Sequence, residues 1–243
     1  MIMGWRLIDT DIADPYYVTA ADEAISSARK ENKIQDTLHF YRRDPSSVSV
    51  GRSRKIHEDV DVEECTKNNV KIVRRTTGGG TIFTDKECLI YSLVFNREKL
   101  QLVSSQKIFE DVYNSIVTSL ERFDINTVYK PPNDILLNGK KISGSAQIIK
   151  DDIVLIHGTI LVDSDLEIMK KVLKLPGNGK VSTLLREIGY KPLMKGIKNA
   201  LKKEFEMYFD TSFENTRFST YENQLIEKLL NERYLNNSWN FMR

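Results

Sequence analysis

The fold class of this 243-residue chain is indicated most clearly by one segment, Asp134-Ile-Leu-Leu-Asn-Gly-Lys-Lys-Ile-Ser-Gly-Ser-Ala-Gln147. It places Asn138-Gly139 between runs of β-forming residues, a strong hairpin signal because a type I′ turn needs φ > 0 at both central positions. A second turn at Asp151-Asp152 leads into another such run, from Ile153 to Val162. These residues predict a meander of three antiparallel strands.

Helices are predicted on both sides of the meander. Upstream, Ser104 or Ser105 can cap a helix whose apolar residues recur every four positions, at Ile108, Val112, Ile116 and Leu120. An earlier helix is predicted from Pro15 to about Lys30. Downstream helices are predicted from the cap at Asp163-Ser164 to about Leu175, ended by Pro176-Gly177, and near 182–188, 192–208 and 222–232.

Strands and helices follow one another without a regular βαβ alternation. This order predicts an α+β fold in which a mixed or antiparallel sheet is flanked by helices. The chain contains no internal repeat and no convincing interdomain linker, so we expect one domain spanning residues 1–243.

A glycine-rich loop lies between two apolar runs in the first half of the chain, within the segment Arg74-Arg-Thr-Thr-Gly-Gly-Gly-Thr-Ile-Phe-Thr-Asp85. Three consecutive glycines form poor strands and helices, but they allow φ > 0 and let a ligand approach the backbone N–H groups. The segment is neither a Walker loop nor G-x-G-x-x-G opening a helix. From these residues alone it is either a simple turn or a surface for an anion.

Composition excludes several classes of protein. Hydrophobic residues make up 40% and charged residues 29% of the chain, which is ordinary for a globular protein, and the net charge of +2 argues against a nucleic-acid protein built on bulk electrostatics. Cys65 and Cys88 form neither a disulfide framework nor a recognisable zinc motif. Since neither a signal peptide nor a membrane span is evident, we expect a cytoplasmic location, with neither nucleic acid nor membrane as a partner.

Three spaced motifs carry a resemblance to a known family. Lys141-Ile-Ser-Gly-Ser-Ala146 puts a lysine before small residues, His157-Gly-Thr159 follows on the next strand, and both come after the Arg-Arg-x-x-Gly-Gly-Gly pattern. Together they resemble the lipoate–protein ligase A family, part of the biotin/lipoate ligase superfamily. Similarity extends over nearly the whole chain, through Asp22-Glu23-Ala24, Asn133-Asp134-Ile135 and Trp239-Asn240.

The resemblance implies a reaction in which lipoate and ATP, with Mg²⁺, give lipoyl-AMP, and the lipoyl group passes to a lysine of an acceptor protein. It implies that Lys141 is catalytic and stabilises negative charge at phosphate and carbonyl. Asp134 would coordinate Mg²⁺ or stabilise the turn region, and His157 would contact ligand or serve as a buried structural histidine. The implied substrate- and nucleotide-binding residues are Arg74, Arg75, Thr77, Gly78, Gly79, Gly80, Asn133, Ser143, Gly144, Ala146, His157, Gly158 and Thr159.

One departure from the family leaves other functions open. Thr84 stands where the family commonly has histidine, so no group titrates near neutral pH at that position. A catalytically silent lipoyl-binding subunit is one alternative. Another is an octanoyl- or lipoyl-transferase that uses an acyl carrier protein and a cysteine thioester, although no cysteine follows Cys88. Biotin ligation is disfavoured because the loop lacks the Gly-Arg-Gly-Arg pattern typical of those enzymes.

The resemblance also implies a partner. Full-length ligases of this family carry a small C-terminal accessory domain, and in split members that domain is a separate polypeptide. This chain ends shortly after Trp239-Asn240, so we expect the catalytic subunit of a two-part ligase. Its expected partners are a lipoyl-acceptor protein and a separate accessory subunit, with Trp239, Phe241 and Met242 as a plausible contact.

Overall fold

The computed structural model describes residues 4–98, 104–174 and 180–243. Its strands are β1 (Trp5–Ala13), β2 (Thr37–Arg43), β3 (Ser47–Val50), β4 (Lys71–Arg74), β5 (Ile82–Thr84), β6 (Cys88–Asn96), β7 (Val128–Lys130), β8 (Asp134–Leu137), β9 (Lys140–Lys150), β10 (Ile153–Leu161) and β11 (Phe213–Asn215). Its helices are α1 (Pro15–Lys30), α2 (Ile56–Asp59), α3 (Val62–Lys67), α4 (Ser105–Glu121), α5 (Leu166–Val172), α6 (Leu184–Ile188), α7 (Met194–Tyr208), α8 (Thr220–Leu229) and α9 (Asn237–Asn240).

Eight strands form the main sheet in the order β11-β1-β2-β6-β10-β9-β8-β7. Pairing is antiparallel from β2 to β7, whereas β1 runs parallel to both β2 and β11. A smaller sheet has the order β4-β3-β5. The α+β class with a mixed sheet is therefore confirmed.

The predicted meander is confirmed as β8, β9 and β10. Asn138 and Gly139 have φ of 50° and 76°, as a type I′ turn requires, and Asp151 and Asp152 have φ of 50° and 62°. Asparagine, aspartate and glycine tolerate this left-handed region better than other residues, which explains why both turns could be predicted from the sequence.

One face of the main sheet carries the larger apolar core. The four residues that predict α4 are all buried, and α4 packs beside α7 in one apolar cluster with side chains of β6 and β10. The opposite face is covered by α1 and the small sheet. Among the helices in the described ranges, none is long and apolar enough to cross a membrane.

Two predicted helix ends differ from the structure. The helix expected to reach Leu175 ends at Val172, because Leu173 is already extended and pairs with Val60, and Pro176-Gly177 lies outside the described residues. The helix expected over 222–232 begins at Thr220, where Ser219 and Glu222 form a capping box, and continues past Leu229 as a π-helical turn over Leu230–Tyr234.

Candidate active site

Two rows of side chains cross the main sheet on the face that α1 covers. In one row, Tyr41 pairs with Ile90, Ile90 with Thr159, Thr159 with Gly144 and Gly144 with Asp134. The neighbouring row joins His39, Ser92, His157 and Ala146. Residues two apart on a strand face the same side, so both rows share one surface.

Lys141 reaches that surface because β9 contains a β-bulge. Ser143 pairs with Ile135 and Lys141 with Leu136, which leaves Ile142 without a partner on β8. In a regular strand, Lys141 and Gly144 would face opposite sides, since they are three positions apart. The extra residue buries Ile142 in the larger core and places Lys141 beside Gly144.

Lys141 forms an ion pair across this hairpin. Its Nζ lies 2.5 Å from Oδ1 of Asp134, and the two side chains are 35% and 27% exposed. A Cβ on Gly144 would lie 2.8 Å from Lys141 Cε and 2.9 Å from Nζ, so only glycine leaves room for this position of the amine. The small residues after Lys141 therefore have a steric function at Gly144.

Two cavities meet at Lys141. The first has a volume of about 200 Å³ and extends along the rows towards Tyr41 and Arg43. The second, of about 310 Å³, is lined by Asp134 and by three lysines, Lys130, Lys141 and Lys180. Both cavities share the following lining residues: Thr81, Ile82, Lys141, Gly144 and Thr159. An acid held in the first cavity could thus present its carboxylate to a ligand in the second.

The glycine loop lies over the first cavity with its carbonyl groups held by Arg75. This guanidinium donates to the carbonyl oxygens of Gly78 and Gly80, each at 2.7 Å, and to Ser49 O at 2.8 Å. No atom in residues 4–98, 104–174 or 180–243 accepts a hydrogen bond from the N–H groups of Gly78, Gly79 or Gly80. Backbone donors in this arrangement suit an anionic ligand.

Positive φ in this loop is confined to Gly79, at 85°. A Cβ there would lie 3.1 Å from Arg75 Nη2, whereas a Cβ on Gly78 or Gly80 would meet nothing within 4 Å. Gly79 therefore has a conformational role in the loop, and the open space lies beside Gly78 and Gly80.

Arg74 lies outside both cavities. Its Nη1 donates to the carbonyl oxygens of Gly51, Arg52 and Arg54, and its Nε donates to the carbonyl oxygen of Asn240. The indole of Trp239 donates to Arg74 O at 2.9 Å. These contacts give Arg74 a structural position, and they fold the Trp239-Asn240 motif back against the end of β4.

A buried hydrogen-bond network links α1 to the glycine loop. Asp22 accepts from His39 Nδ1 at 3.0 Å, from the Tyr41 hydroxyl at 2.9 Å and from His157 Nδ1 at 3.1 Å. His157 Nε2 lies 2.7 Å from Thr77 Oγ1. The same hydroxyl oxygen accepts a hydrogen bond from Arg75 Nε. Both nitrogens of His157 are thus engaged by protein groups.

The charges in this network follow from its burial. Burial alone would raise the pKa of Asp22, but the hydrogen bonds from His157 and His39 outweigh it and hold the pKa below its ordinary value. Burial lowers the pKa of His157, and the interaction with Asp22 opposes that effect only in part. A neutral His157 with its proton on Nδ1 accepts from Thr77 and donates to Asp22, so every polar atom in this part of the network is satisfied.

Thr84 is buried and takes part in hydrogen bonding. Its Oγ1 lies 3.1 Å from Ser47 Oγ and 3.5 Å from Nη1 of Arg43. The side chain lines the first cavity. At this position the chain has a neutral hydroxyl beside a buried guanidinium.

Both thiols lie outside the two cavities. Cys65 packs in the apolar cluster of α3 and the small sheet, and Cys88 packs against Val18 and Tyr41. Burial and the nearby Asp61 and Glu64 raise the pKa of Cys65 to about 12, and burial raises the pKa of Cys88 well above its ordinary value. Neither residue lines either cavity.

The described side chains do not form a metal site by themselves. Within the described ranges, no three His, Cys, Asp or Glu side chains cluster closely enough to hold a metal ion. Among the residues that the structure describes, Asp134 is the one carboxylate lining the second cavity. This donor set fits only a Mg²⁺ ion that takes its remaining ligands from phosphates and water, as is usual for this ion.

The structure brings most of the expected site residues together. The expected residues that line the first cavity are Arg75, Gly80, Asn133, Lys141, Gly144, Ala146, His157, Gly158 and Thr159. Two further expected residues, Ser143 and Asp134, line the second cavity. Thr77, Gly78 and Gly79 belong to the loop above, and Arg74 is displaced from the site. Sequence reasoning missed Tyr41 and Arg43, which the alternation along β2 places on the same face as His39.

The chain is similar in sequence and in structure to known proteins. A family model described as the lipoyl protein ligase A/B catalytic domain matches residues 14–206. The octanoyltransferase LipM of Geobacillus kaustophilus is 28% identical, over 98% of this chain and 98% of its own length. A solved lipoate-protein ligase A bound with ATP is 25% identical with a TM-score of 0.87, covering 98% of this chain and 99% of that one. A bi-partite lipoate protein ligase from Thermoplasma acidophilum is also 25% identical, with a TM-score of 0.86, and the match covers 98% of this chain and 96% of that one.

Proposed function

The chain belongs to the lipoyl protein ligase A/B catalytic-domain family, and from that premise we propose that it is an ATP-dependent lipoate–protein ligase. It is an enzyme of the lipoate ligase and transferase family, and its relatives include both kinds of protein. The observation that favours ligation is the position of the two thiols, both outside the cavities that meet at Lys141.

A transferase that works through a cysteine thioester needs an accessible thiolate beside the acyl group. Cys65 and Cys88 are 1% and 0% exposed, and their raised pKa values keep both as thiols at neutral pH. The sequence has no cysteine after Cys88, so the hairpin that carries Lys141 cannot supply a nucleophile of this kind. Acyl activation by ATP needs no thiol.

In the proposed first step, a lipoate carboxylate oxygen attacks the α-phosphate, a new P–O bond forms, and pyrophosphate leaves. The acyl chain would occupy the first cavity and the nucleotide the second. Lys141 lies where they meet and would stabilise the negative charge that develops on the phosphate oxygens. The ion pair with Asp134 and the close approach of Gly144 hold the amine in place.

In the second step, the amine of an acceptor lysine attacks the acyl carbonyl, the C–N bond forms and AMP leaves. Lys141 can donate to the carbonyl oxygen as it becomes negative. The free N–H groups of the glycine loop and the lysines of the second cavity favour a bound phosphate. Mg²⁺ held by the phosphates and Asp134 would neutralise charge on the phosphate oxygens.

We also propose that this chain is a catalytic domain that works with a separate accessory subunit and a lipoyl-acceptor protein. Support comes from its similarity over nearly full length to one chain of a bi-partite ligase. Phe241 and Met242 are 43% and 38% exposed, while the Trp239 ring lies 4.3 Å from the guanidinium carbon of Arg52 and 4.5 Å from that of Arg233. These two exposed apolar side chains are where we propose that such a subunit docks.

Exchange of pyrophosphate into ATP tests the function. With any accessory subunit supplied, we expect exchange that depends on lipoate and Mg²⁺. The isolated chain should transfer from preformed lipoyl-AMP yet adenylate lipoate poorly. Vigorous lipoylation by the chain alone with lipoate, Mg²⁺ and ATP would overturn the partner proposal, and an acyl group trapped on Cys65 or Cys88 by a carrier-protein donor would overturn the ligase proposal.

A further inference from the structure

The first cavity is lined by three cationic side chains, of which Lys141 is paired with Asp134 and the two arginines have no ion pair with a carboxylate in the described residues. Arg43 and Arg75 line it together with Lys141, and its lining in the described part of the chain contains no Asp or Glu. Arg75 donates to the carbonyl oxygens of Gly78, Gly80 and Ser49 and to the Thr77 hydroxyl. Arg43 is therefore the cation whose role the loop does not explain.

Arg43 is 3% exposed, its guanidinium carbon lies 5.8 Å from the centre of the Tyr41 ring, and its hydrogen bonds within the described residues go to neutral hydroxyl oxygens. Its Nη1 lies 3.3 Å from Ser47 Oγ and 3.5 Å from Thr84 Oγ1, and its Nη2 donates to Thr19 Oγ1 at 3.0 Å. Its Nε is buried, and no atom of the described ranges accepts its hydrogen. A buried cation held by weak neutral contacts, with one donor unused, leaves hydrogen-bonding capacity for a ligand.

Arg43 lies at the end of the cavity opposite Lys141. Tyr41, two positions before Arg43 on β2, is in the same row as Gly144, which contacts Lys141. Tyr41 and Gly144 are three strand spacings apart, about 14 Å. An acid whose carboxylate meets Lys141 would therefore point its distal end towards Arg43 and Thr84.

We propose that Arg43, assisted by Thr84, selects acyl substrates whose distal end carries a hydrogen-bond acceptor, and so distinguishes the dithiolane of lipoate from the methyl end of octanoate. A methyl group at this position would displace water from a buried guanidinium without replacing its hydrogen bonds. A ring sulfur can accept weakly from Nε and pack against the guanidinium plane. This inference rests on the proposed use of an acyl substrate, and it does not depend on ATP.

Calorimetric titration of the protein with free lipoate and free octanoate tests the inference without nucleotide. We expect the wild type to bind lipoate at least about 10-fold more tightly than octanoate. Arg43→Met should reduce this ratio of affinities by about 10-fold, because the variant has no buried donor that the methyl end of octanoate would leave without an acceptor. Thr84→Val, which is nearly isosteric, should shift the ratio in the same direction by less. Arg43→Lys, which restores the cation, should recover part of the selectivity.

Arg42→Met is the matched control. Arg42 is the neighbouring arginine on β2, and its guanidinium pairs with Asp11 outside the cavity, so the ratio should stay at the wild-type value. Equal affinity of the wild type for both acids, or an unchanged ratio in folded Arg43→Met and Thr84→Val, would overturn the inference alone. Absence of binding by either acid would overturn the proposed function and the inference with it.

Discussion

Lys141 is the residue on which the proposed chemistry depends most directly. Lys141→Ala should lower the rate of acceptor lipoylation by about 10²-fold or more, because no other described cation lines both cavities. The fold should survive, since the side chain is partly exposed. Lipoylation can be followed by mass spectrometry of an acceptor domain.

Lys140 supplies the matched control for that variant. It is the preceding residue on β9, and its amine pairs with Glu187 rather than with Asp134. Lys140→Ala should therefore keep nearly normal lipoylation. Near-normal activity of Lys141→Ala, or equal losses in both variants, would remove Lys141 from the proposed chemistry.

Residue identity alone could not show what Asp22 and Arg43 do. Asp22 lies on α1 and His157 lies on β10, 135 positions later, and the packing of α1 against the main sheet brings them together. Arg43 is one of two consecutive arginines, and which of them is buried depends on the face of β2 that meets the small sheet. Sequence motifs pointed to Lys141, Gly144 and His157 because their small neighbours are adjacent in sequence.

At the scale of elements, the glycine loop combines two functions that can be separated. Gly78→Ala should leave the melting temperature almost unchanged, because a methyl group there would meet no protein atom, and it should weaken nucleotide binding if phosphate lies against the loop N–H groups as proposed. Gly79→Ala should cost about 1–2 kcal/mol in folding free energy, since φ at that position is 85°. Thermal unfolding and calorimetric titration with ATP would measure both effects.

The comparison between these two variants decides the role of the loop. Normal nucleotide affinity in Gly78→Ala would show that no ligand contacts the loop at this position. A melting temperature equally reduced in both variants would indicate that the glycines serve folding alone.

Elements differ in how well their positions could be predicted. The β8–β9 hairpin was predicted because Asn138-Gly139 specifies its turn locally. The bulge at Ile142 was missed, since it depends on the register of β9 against β8, and without it Lys141 would face the wrong side of the sheet. Helix α4 was predicted from its apolar period, whereas the π-helical turn after α8 has no comparable signal.

At the scale of the whole molecule, the buried network predicts loss of stability in mild acid. His157 has a pKa below 6.5 in the folded protein, so the unfolded chain binds the extra proton between that lower pKa and pH 6.5. Stability from this group is present above about pH 6.5 and declines as the pH falls through the window. Asp22, whose pKa is also lowered, acts in the same direction below pH 3.8.

Urea unfolding between pH 7.5 and pH 5 would measure this dependence. We expect the free energy of unfolding to fall by up to about 1.4 kcal/mol per pH unit in the window, and the fall to shrink in His157→Gln. The variant is needed because burial raises the pKa of Asp85, which contributes with the opposite sign. If the free energy of unfolding of the wild type does not change with pH, or if it changes equally in His157→Gln, the pH dependence cannot be assigned to His157.

The fold class and most of the site could be predicted because the motifs lie in order along the chain and belong to one family. The division of the site into two cavities could not, because it depends on the small sheet packing over β9 and β10. Whether the acyl group is activated by ATP or carried by a thioester also depends on tertiary structure, through the burial of Cys65 and Cys88.

The most direct test of ligation therefore removes both thiols. The double variant Cys65→Ser, Cys88→Ala is incubated with preformed lipoyl-AMP and a lipoyl-acceptor domain, and the acceptor is analysed by mass spectrometry. We predict that the variant lipoylates the acceptor lysine at a rate close to that of the wild type. Loss of transfer in the folded variant, with an acyl-cysteine trapped in the wild type, would contradict the account.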